Sequence, residues 1–237
     1  MTVSLVGAGP GDPGLITVRG LARVRAAELL VYDRLVAPEL VAEARCERIA
    51  RDDLTQDEVN AILVAAGRER HVVRLKGGDP LLFGRGGEEA LALARDGVPF
   101  EIVPGVSALT AAPAAASIPI THRGAASAVT AFAAHDPDGL DVDALAALPG
   151  TLVGFMGLAG LPRLAELLVE AGKDADTPAA VVACAGTPRQ QVVTAPLAEL
   201  PQAAAGLPAP ALVVIGEVVA VGDRIAAREP LAAAARI

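Results

Sequence analysis

A chain of 237 residues with 53% hydrophobic side chains, mostly Ala, Val and Leu, is long enough for one large α/β domain or two small ones and too apolar for disorder. Aromatics at 2% and the absence of Trp leave the core to small aliphatic side chains, and Cys46 and Cys184, far apart with no second ligand at metal spacing, read as thiols, not as a disulfide or metal site. The formal charge of −8 lacks the basic stripe of a nucleic-acid surface, no apolar run reaches the ~18 residues of a membrane span, and the first strand turns into a glycine loop too soon for a signal peptide; a cytoplasmic protein without metal, nucleic acid or membrane is expected.

Residues 3–6 read as a short buried strand, followed by the loop Gly7-Ala8-Gly9-Pro10-Gly11-Asp12-Pro13-Gly14 and a helix-period segment over 15–27. A second strand over 29–32 ends at Asp33. Then come a helix over 38–44, a short strand over 48–50, a helix over 56–67 and a strand over 71–75. Beyond a second glycine loop, 88–95 is helical and 99–103 extended, and Pro104-Gly105-Val106-Ser107 turns into an Ala-rich helix over 109–116. This alternation predicts a mostly parallel sheet covered on both faces. Past Pro119 the rhythm changes: 127–134, 151–155, 179–183, 190–194 and 211–215 look extended, with one clear helix over 161–171 and a weaker one after Pro196. More strands per helix predicts a mixed sheet in a second α/β domain. The expected domains are therefore 1–115 and 116–237, with a frayed tail over 232–237.

Two glycine loops carry the chemistry. The run from Arg74 to Glu89 holds Gly77, Gly78, Gly84, Gly86 and Gly87 among Arg74, Lys76, Arg85, Asp79, Glu88 and Glu89. A turn needs one or two special residues; this many glycines at the end of an apolar strand points to backbone that a ligand approaches closely. In the first loop, Gly9-x-Gly11-x-x-Gly14 follows a strand, and Asp33 ends the next one, which is the spacing of a dinucleotide site. Pro10 and Pro13 each delete an N–H that a pyrophosphate would use. A ligand that wants close backbone approach but has no phosphate fits the loop at least as well.

Val6-Gly7-Ala8-Gly9-Pro10-Gly11-Asp12, Val31-Tyr32-Asp33-Arg34-Leu35-Val36, the whole 74–89 run, Val103-Pro104-Gly105-Val106, Ile118-Pro119-Ile120-Thr121-His122-Arg123-Gly124, Phe155-Met156-Gly157 and Gly216-Glu217-Val218-Val219 stand in the order found in uroporphyrinogen-III C-methyltransferases, and the chain resembles that family over nearly its whole length. The resemblance implies a homodimer of two-domain α/β subunits of the tetrapyrrole methylase fold, with a mostly parallel N-terminal sheet, a mixed C-terminal sheet and the active site in the cleft between them. It implies S-adenosyl-L-methionine as methyl donor, S-adenosyl-L-homocysteine as product, and methylation of two ring carbons of uroporphyrinogen III to give precorrin-2, the entry to sirohaem and cobalamin. A donor with adenine, ribose and an amino-acid tail but no phosphate suits a site of backbone amides and carbonyls, so the prolines cease to be a difficulty.

By position, the resemblance maps cofactor contacts onto Pro10, Gly77, Gly78, Asp79, Leu82, Ser107, Ala108, Met156 and Ala185. Taken alone, Asp79 before Pro80 is also a common turn pair and Met156 on an apolar strand is also a core residue. A pyrrole carbon can attack a sulfonium methyl if its N–H proton is lost as charge builds; Asp33, on the ligand edge of a parallel sheet, is the candidate acceptor, against a bland role as helix cap or partner of Arg34. Uroporphyrinogen carries eight carboxylates, which makes Arg85 and Arg123, with Arg34 as a further candidate, plausible anchors, and His122 a lining group. One segment departs from the family. Arg48-Ile49-Ala50-Arg51-Asp52-Asp53-Leu54 leads directly into Thr55-Gln56, without the usual Gly-Lys-Arg stretch; Arg51 could replace its lysine only electrostatically, because its pKa stays above ~12. The rival readings are a nicotinamide-dependent oxidoreductase, a sister corrin methylase and a non-catalytic cofactor-binding protein.

Overall fold

The computed structural model describes residues 2–227, so the expected tail lies outside the described residues. The chain divides into two compact units, Met1–Ala108 and Leu109–Ile237.

In the first unit, β1 (Val3–Gly7), β2 (Leu29–Tyr32), β3 (Glu47–Ala50), β4 (Val72–Lys76) and β5 (Phe100–Val103) form a sheet in the order β3-β2-β4-β1-β5. Every pair in it is parallel. The crossovers carry α1 (Val18–Arg25), α2 (Pro38–Ala42), α3 (Gln56–Gly67) and α4 (Gly86–Arg95). Alternation sorts the side chains onto two faces. Val6, Leu30, Val73 and Leu75 pack with Val24 and Leu40 from α1 and α2, whereas Leu5, Leu29, Val31 and Val72 pack with Val59, Leu63 and Leu93 from α3 and α4. Helix α3 starts on a capping box in which Thr55 and Glu58 satisfy each other's backbone N–H groups. The expected helix over 15–27 is instead a 3-10 turn at Pro13–Leu15 followed by α1, because the Thr17 side chain caps the helix at that point by accepting the Gly20 N–H at 3.0 Å.

The amino-terminal edge of this sheet is tied by Glu101. Its carboxylate accepts from Arg19 Nη2 at 2.6 Å, Ser4 Oγ at 2.8 Å and Arg23 Nε. Burial by itself pushes this carboxyl up, but those hydrogen bonds outweigh it and hold it at about 2, against an ordinary 4.5. A lowered folded-state value contributes stability that is complete above about pH 4.5 and is lost as pH falls toward 2. Glu101→Gln is therefore expected to cost on the order of 3 kcal/mol at pH 7 and far less near pH 2.5. Urea midpoints of parent and variant at the two pH values check this; a gap that does not narrow in acid contradicts it.

The second unit opens with α5 (Ala108–Ala115), whose first residue closes the first unit, and continues through β6 (Val129–Ala133), α6 (Val142–Ala147), β7 (Thr151–Phe155), α7 (Leu161–Glu170), β8 (Pro178–Ala183), β9 (Gln191–Pro196), α8 (Leu200–Ala203), β10 (Ala211–Ile215) and α9 (Val218–Ala226). The sheet order is β6-β7-β10-β8-β9, with β6 and β7 parallel and the other pairs antiparallel. One face packs Leu152, Val181 and Val213 against Leu161, Leu164 and Leu168 of α7; the other packs Val153, Val182 and Val214 against Val218 and Val219 of α9. Two helices were not anticipated. The α6 segment is short, and α9 carries three valines in its first four residues, a β-prone composition overridden by packing on the sheet. Cys184 is buried and Cys46 partly buried, both as free thiols. Among the described residues no helix is long and apolar enough to cross a membrane.

Candidate active site

In the first sheet the chain leaves β1 toward β2 on one side and leaves β4 toward β5 on the other, so the topological switch point lies between the adjacent strands β1 and β4. Ligands of open α/β sheets bind at that crevice, outside the carboxyl ends of the strands. Both glycine loops arrive there and pair with each other: Gly9 N–H donates to Gly78 O at 3.3 Å and Gly78 N–H to Gly9 O at 2.7 Å. A third loop joins them. A Cβ on Gly105 would lie 2.3 Å from Gly78 O and 2.7 Å from Gly7 Cα, so the backbones after β1, β4 and β5 touch directly.

This packing decides against a pyrophosphate. The N–H groups of Ala8 and Gly9 are spent on Lys76 O and Gly78 O, that of Gly14 on the Asp12 carboxylate at 2.8 Å, and that of Leu15 on Asp12 O. Pro10 and Pro13 have none. The Asp12 carboxylate thus takes the Gly14 N–H that the dinucleotide spacing of Gly9, Gly11 and Gly14 would offer to a phosphate.

The loop after β4 leaves room beside the contact. A Cβ on Gly78, which has φ of +67°, would meet only Ala108 N at 3.9 Å, and one on Gly77 only Leu35 Cβ at 3.4 Å. The two glycines thus form a cradle that side chains would fill. Asp79 holds the loops around it, its Oδ1 accepting from Leu81 N–H at 2.9 Å and its Oδ2 from Gly105 N–H at 3.1 Å. Further along, Phe83 and Arg85 adopt φ of 51° and 59°. Left-handed backbone in such residues costs about 1–3 kcal/mol each and gathers at functional sites. Arg85 donates from Nε and Nη2 to the two oxygens of Glu88, at 2.9 and 2.7 Å, and this contact holds the Glu88 carboxyl below the usual range. Gly86 is needed for packing, since a Cβ there would lie 2.2 Å from Pro80 O, whereas Gly87 faces open space, with nothing within 4 Å of its Cβ position.

Asp33 follows β2 on the face covered by α3 and α4. Its N–H donates to Leu75 O at 3.1 Å, and its Oδ1 accepts from Arg74 Nη2 with Arg51 Nε 3.9 Å away. Arg34 makes no ion pair with it. Behind Asp33 lies a cluster that sequence reasoning missed. Arg74 Nε and Lys76 Nζ both donate to Glu89 Oε1 at 2.9 Å, and all three side chains are fully buried. Burial pushes the Lys76 ammonium down from its ordinary value, and the Arg74 charge adds to this, against the pull of Glu89 and Asp33. The signal was present in Val-Val-Arg-Leu-Lys: cations at 74 and 76 share one face of a central parallel strand, where a continuous apolar run is the rule.

In the second unit, Phe155 pairs with Leu212 and Ala183 with Ala211, so Met156 and Ala185 follow their strands at one edge of the sheet, on either side of the start of β10. Met156 has φ of 59° and is 52% exposed, and Cys184 has φ of 48°. The exposed Met156 is thus not the core residue its apolar strand allowed. His122 and Arg123 lie at the other end of that sheet, in a turn before β6 closed by His122 N–H on Ala126 O at 2.9 Å. With Pro149 and Gly150 this turn lines a cavity of about 590 Å³. Within its unit, the structure therefore brings Met156 to Ala185 and separates both from His122 and Arg123. In the first unit it gathers Pro10, Gly77, Gly78, Asp79 and Asp33 at one edge.

Comparison with known proteins gives a consistent result. A sequence profile of the tetrapyrrole (corrin/porphyrin) methylases matches residues 2–201. The chain is 46% identical over 236 residues to siroheme synthase 1 of Yersinia enterocolitica, covering 94% of this chain and 50% of that protein. It thus spans about half the length of the curated relatives it matches. Among solved structures, the uroporphyrin-III-C-methyltransferase from Thermus thermophilus is 43% identical with a TM-score of 0.85, over 94% of this chain and 98% of that one. A Thermus thermophilus uroporphyrin-III C-methyltransferase complexed with S-adenyl homocysteine is 40% identical with a TM-score of 0.83, over 93% of this chain and all of that one.

Proposed function

From a chain that belongs to the tetrapyrrole (corrin/porphyrin) methylases, we propose an enzyme that uses S-adenosylmethionine to methylate uroporphyrinogen III at two ring carbons, giving precorrin-2 for sirohaem or cobalamin synthesis. The observation that carries the reading is the switch-point crevice. The N–H groups of Ala8, Gly9, Gly14 and Leu15 are already spent, yet Gly77 and Gly78 keep an open cradle, which suits a nucleoside donor without phosphates. The S-adenyl homocysteine complex of the Thermus relative supports the same ligand class.

In this reading the donor-binding positions are those the family resemblance maps: Pro10, Gly77, Gly78, Asp79, Leu82, Ser107, Ala108, Met156 and Ala185. The donor supplies an electrophilic methyl group on sulfonium. Asp33 accepts the pyrrole N–H proton released as the ring carbon takes that methyl, through Oδ2, since Oδ1 is held by Arg74. Arg85, released from Glu88, binds a substrate carboxylate bidentately, whereas the separation of Arg123 and His122 from Met156 and Ala185 leaves their proposed substrate role without structural support. The enzyme acts in the cytoplasm as a homodimer of two-domain subunits.

Incubation with uroporphyrinogen III and methyl-labelled S-adenosylmethionine tests this. Two labelled methyl groups per macrocycle are expected by mass spectrometry; no methylated product would leave only a cofactor-binding protein. A calorimetric titration separates the oxidoreductase reading, with heat expected from S-adenosylhomocysteine and none from NAD.

A further inference from the structure

Behind Asp33, the fold spends four ionic side chains where an apolar core would serve. The guanidinium of Arg74 is held on all sides: Nη2 donates to Asp33 Oδ1, Nε to Glu89 Oε1 at 2.9 Å, and Nη1 to Leu75 O at 3.2 Å and Val31 O at 3.5 Å. Glu89 Oε1 also accepts from Lys76 Nζ at 2.9 Å and Gln56 Nε2 at 3.4 Å. The convergence of three donors on one oxygen leaves Glu89 Oε2 and Gln56 Oε1 buried without a partner.

As a stabilising device this is poor. A buried ion cluster roughly breaks even against well-packed apolar residues, and a partly satisfied one does worse. Its connectivity points elsewhere. The side chains of Arg74, Lys76 and Glu89 are 0% exposed, and Asp33, at 21%, is where the ionic chain reaches the surface of the fold. That carboxylate has one oxygen gripped and, among the described residues, no partner for the other.

We propose that Arg74, Glu89 and Lys76 are positioning residues for Asp33: Glu89, balanced by Lys76, fixes the guanidinium, and the guanidinium fixes the carboxylate with Oδ2 turned to the substrate. The inference rests on Asp33 being the proton acceptor. A general base must sit within hydrogen-bond reach of its proton, and displacement by about 1 Å can cost 10²-fold in rate.

Glu89→Asp tests it by keeping the charge and withdrawing the carboxylate by one methylene. Turnover is expected to fall about 10- to 100-fold, with KM for both substrates and S-adenosylhomocysteine affinity within about twofold of the parent. In an Asp33→Asn background, the same change is expected to have no further effect on single-turnover rate, because the group it positions is already disabled. Arg74→Lys, which keeps the charge but offers one anchor point, answers the same question if Glu89→Asp does not fold. If Asp33→Asn turns over like the parent, the assignment of the base fails. If Asp33→Asn is slow but the second change slows both backgrounds equally, or neither, the positioning role is overturned.

Discussion

Asp33→Asn is expected to slow methyl transfer by about 10²- to 10⁴-fold, the usual contribution of a positioned general base, while S-adenosylhomocysteine binds as in the parent. The amide is isosteric and can still accept from Arg74, so the loop geometry survives. What it cannot do is take the pyrrole proton. Because Arg74 is fully buried, the loss of its charged partner also lowers stability, by about 1.5–3 kcal/mol for a hydrogen bond of this kind. Activity should accordingly be read well below the midpoint of thermal unfolding, with cofactor affinity measured alongside. Parent turnover in the variant would show that the proton leaves by another route.

Gly105→Ala is the second large effect. Its Cβ would stand 2.3 Å from Gly78 O and 2.7 Å from Gly7 Cα, and both obstacles are backbone. No rotamer relieves such a contact, so the loops after β1, β4 and β5 must separate. Overpacking typically costs about 1–3 kcal/mol, and the upper end is expected here, with S-adenosylhomocysteine affinity reduced at least about tenfold by the distorted cradle. Gly87→Ala is the control: its Cβ meets nothing within 4 Å, and it lies in the first turn of α4. Ala there is expected to raise stability by about 0.5–1 kcal/mol and leave binding unchanged. Equal urea midpoints for the two variants would contradict the packing of the three loops.

These two variants also mark what the sequence makes legible. The position of Asp33 is legible because a charged residue ending an apolar strand of an α/β unit falls at the carboxyl edge of the sheet whatever the details of its neighbours. The glycine run after β4 is conspicuous for the same reason, but its glycines do different things. Gly77 and Gly78 keep space open, Gly86 admits Pro80 O, and the contact that joins the three loops belongs to Gly7 and Gly105, outside the run. Only tertiary contact distinguishes these uses. The buried Arg74, Lys76 and Glu89 escape a reading based on strand boundaries, since Glu89 comes from α4 and Asp33 from the loop after β2, and only the fold brings them together. The alternation of strands and helices gives the parallel sheet directly, whereas the valine-rich α9 is helical because it covers the second sheet rather than from local preference.

Arg51 offers a bounded answer to the shortened segment after β3. Its Nε lies 3.9 Å from Asp33 Oδ1, close enough to add positive charge beside the proposed base and unable to donate a proton near neutrality. Arg51→Ala is expected to change turnover by less than about tenfold, a partly exposed pair at this distance being weak. A loss as large as that of Asp33→Asn would assign Arg51 to the chemistry itself.

The most direct measurement is a crystal structure with S-adenosylhomocysteine bound. Electron density for the nucleoside is expected against Gly77, Gly78 and Ala108, with the sulfur on the side of Asp33. Density centred on the Gly9–Gly14 loop in the manner of a dinucleotide, or at the turn of His122 and Arg123, would contradict the assignment of the donor site.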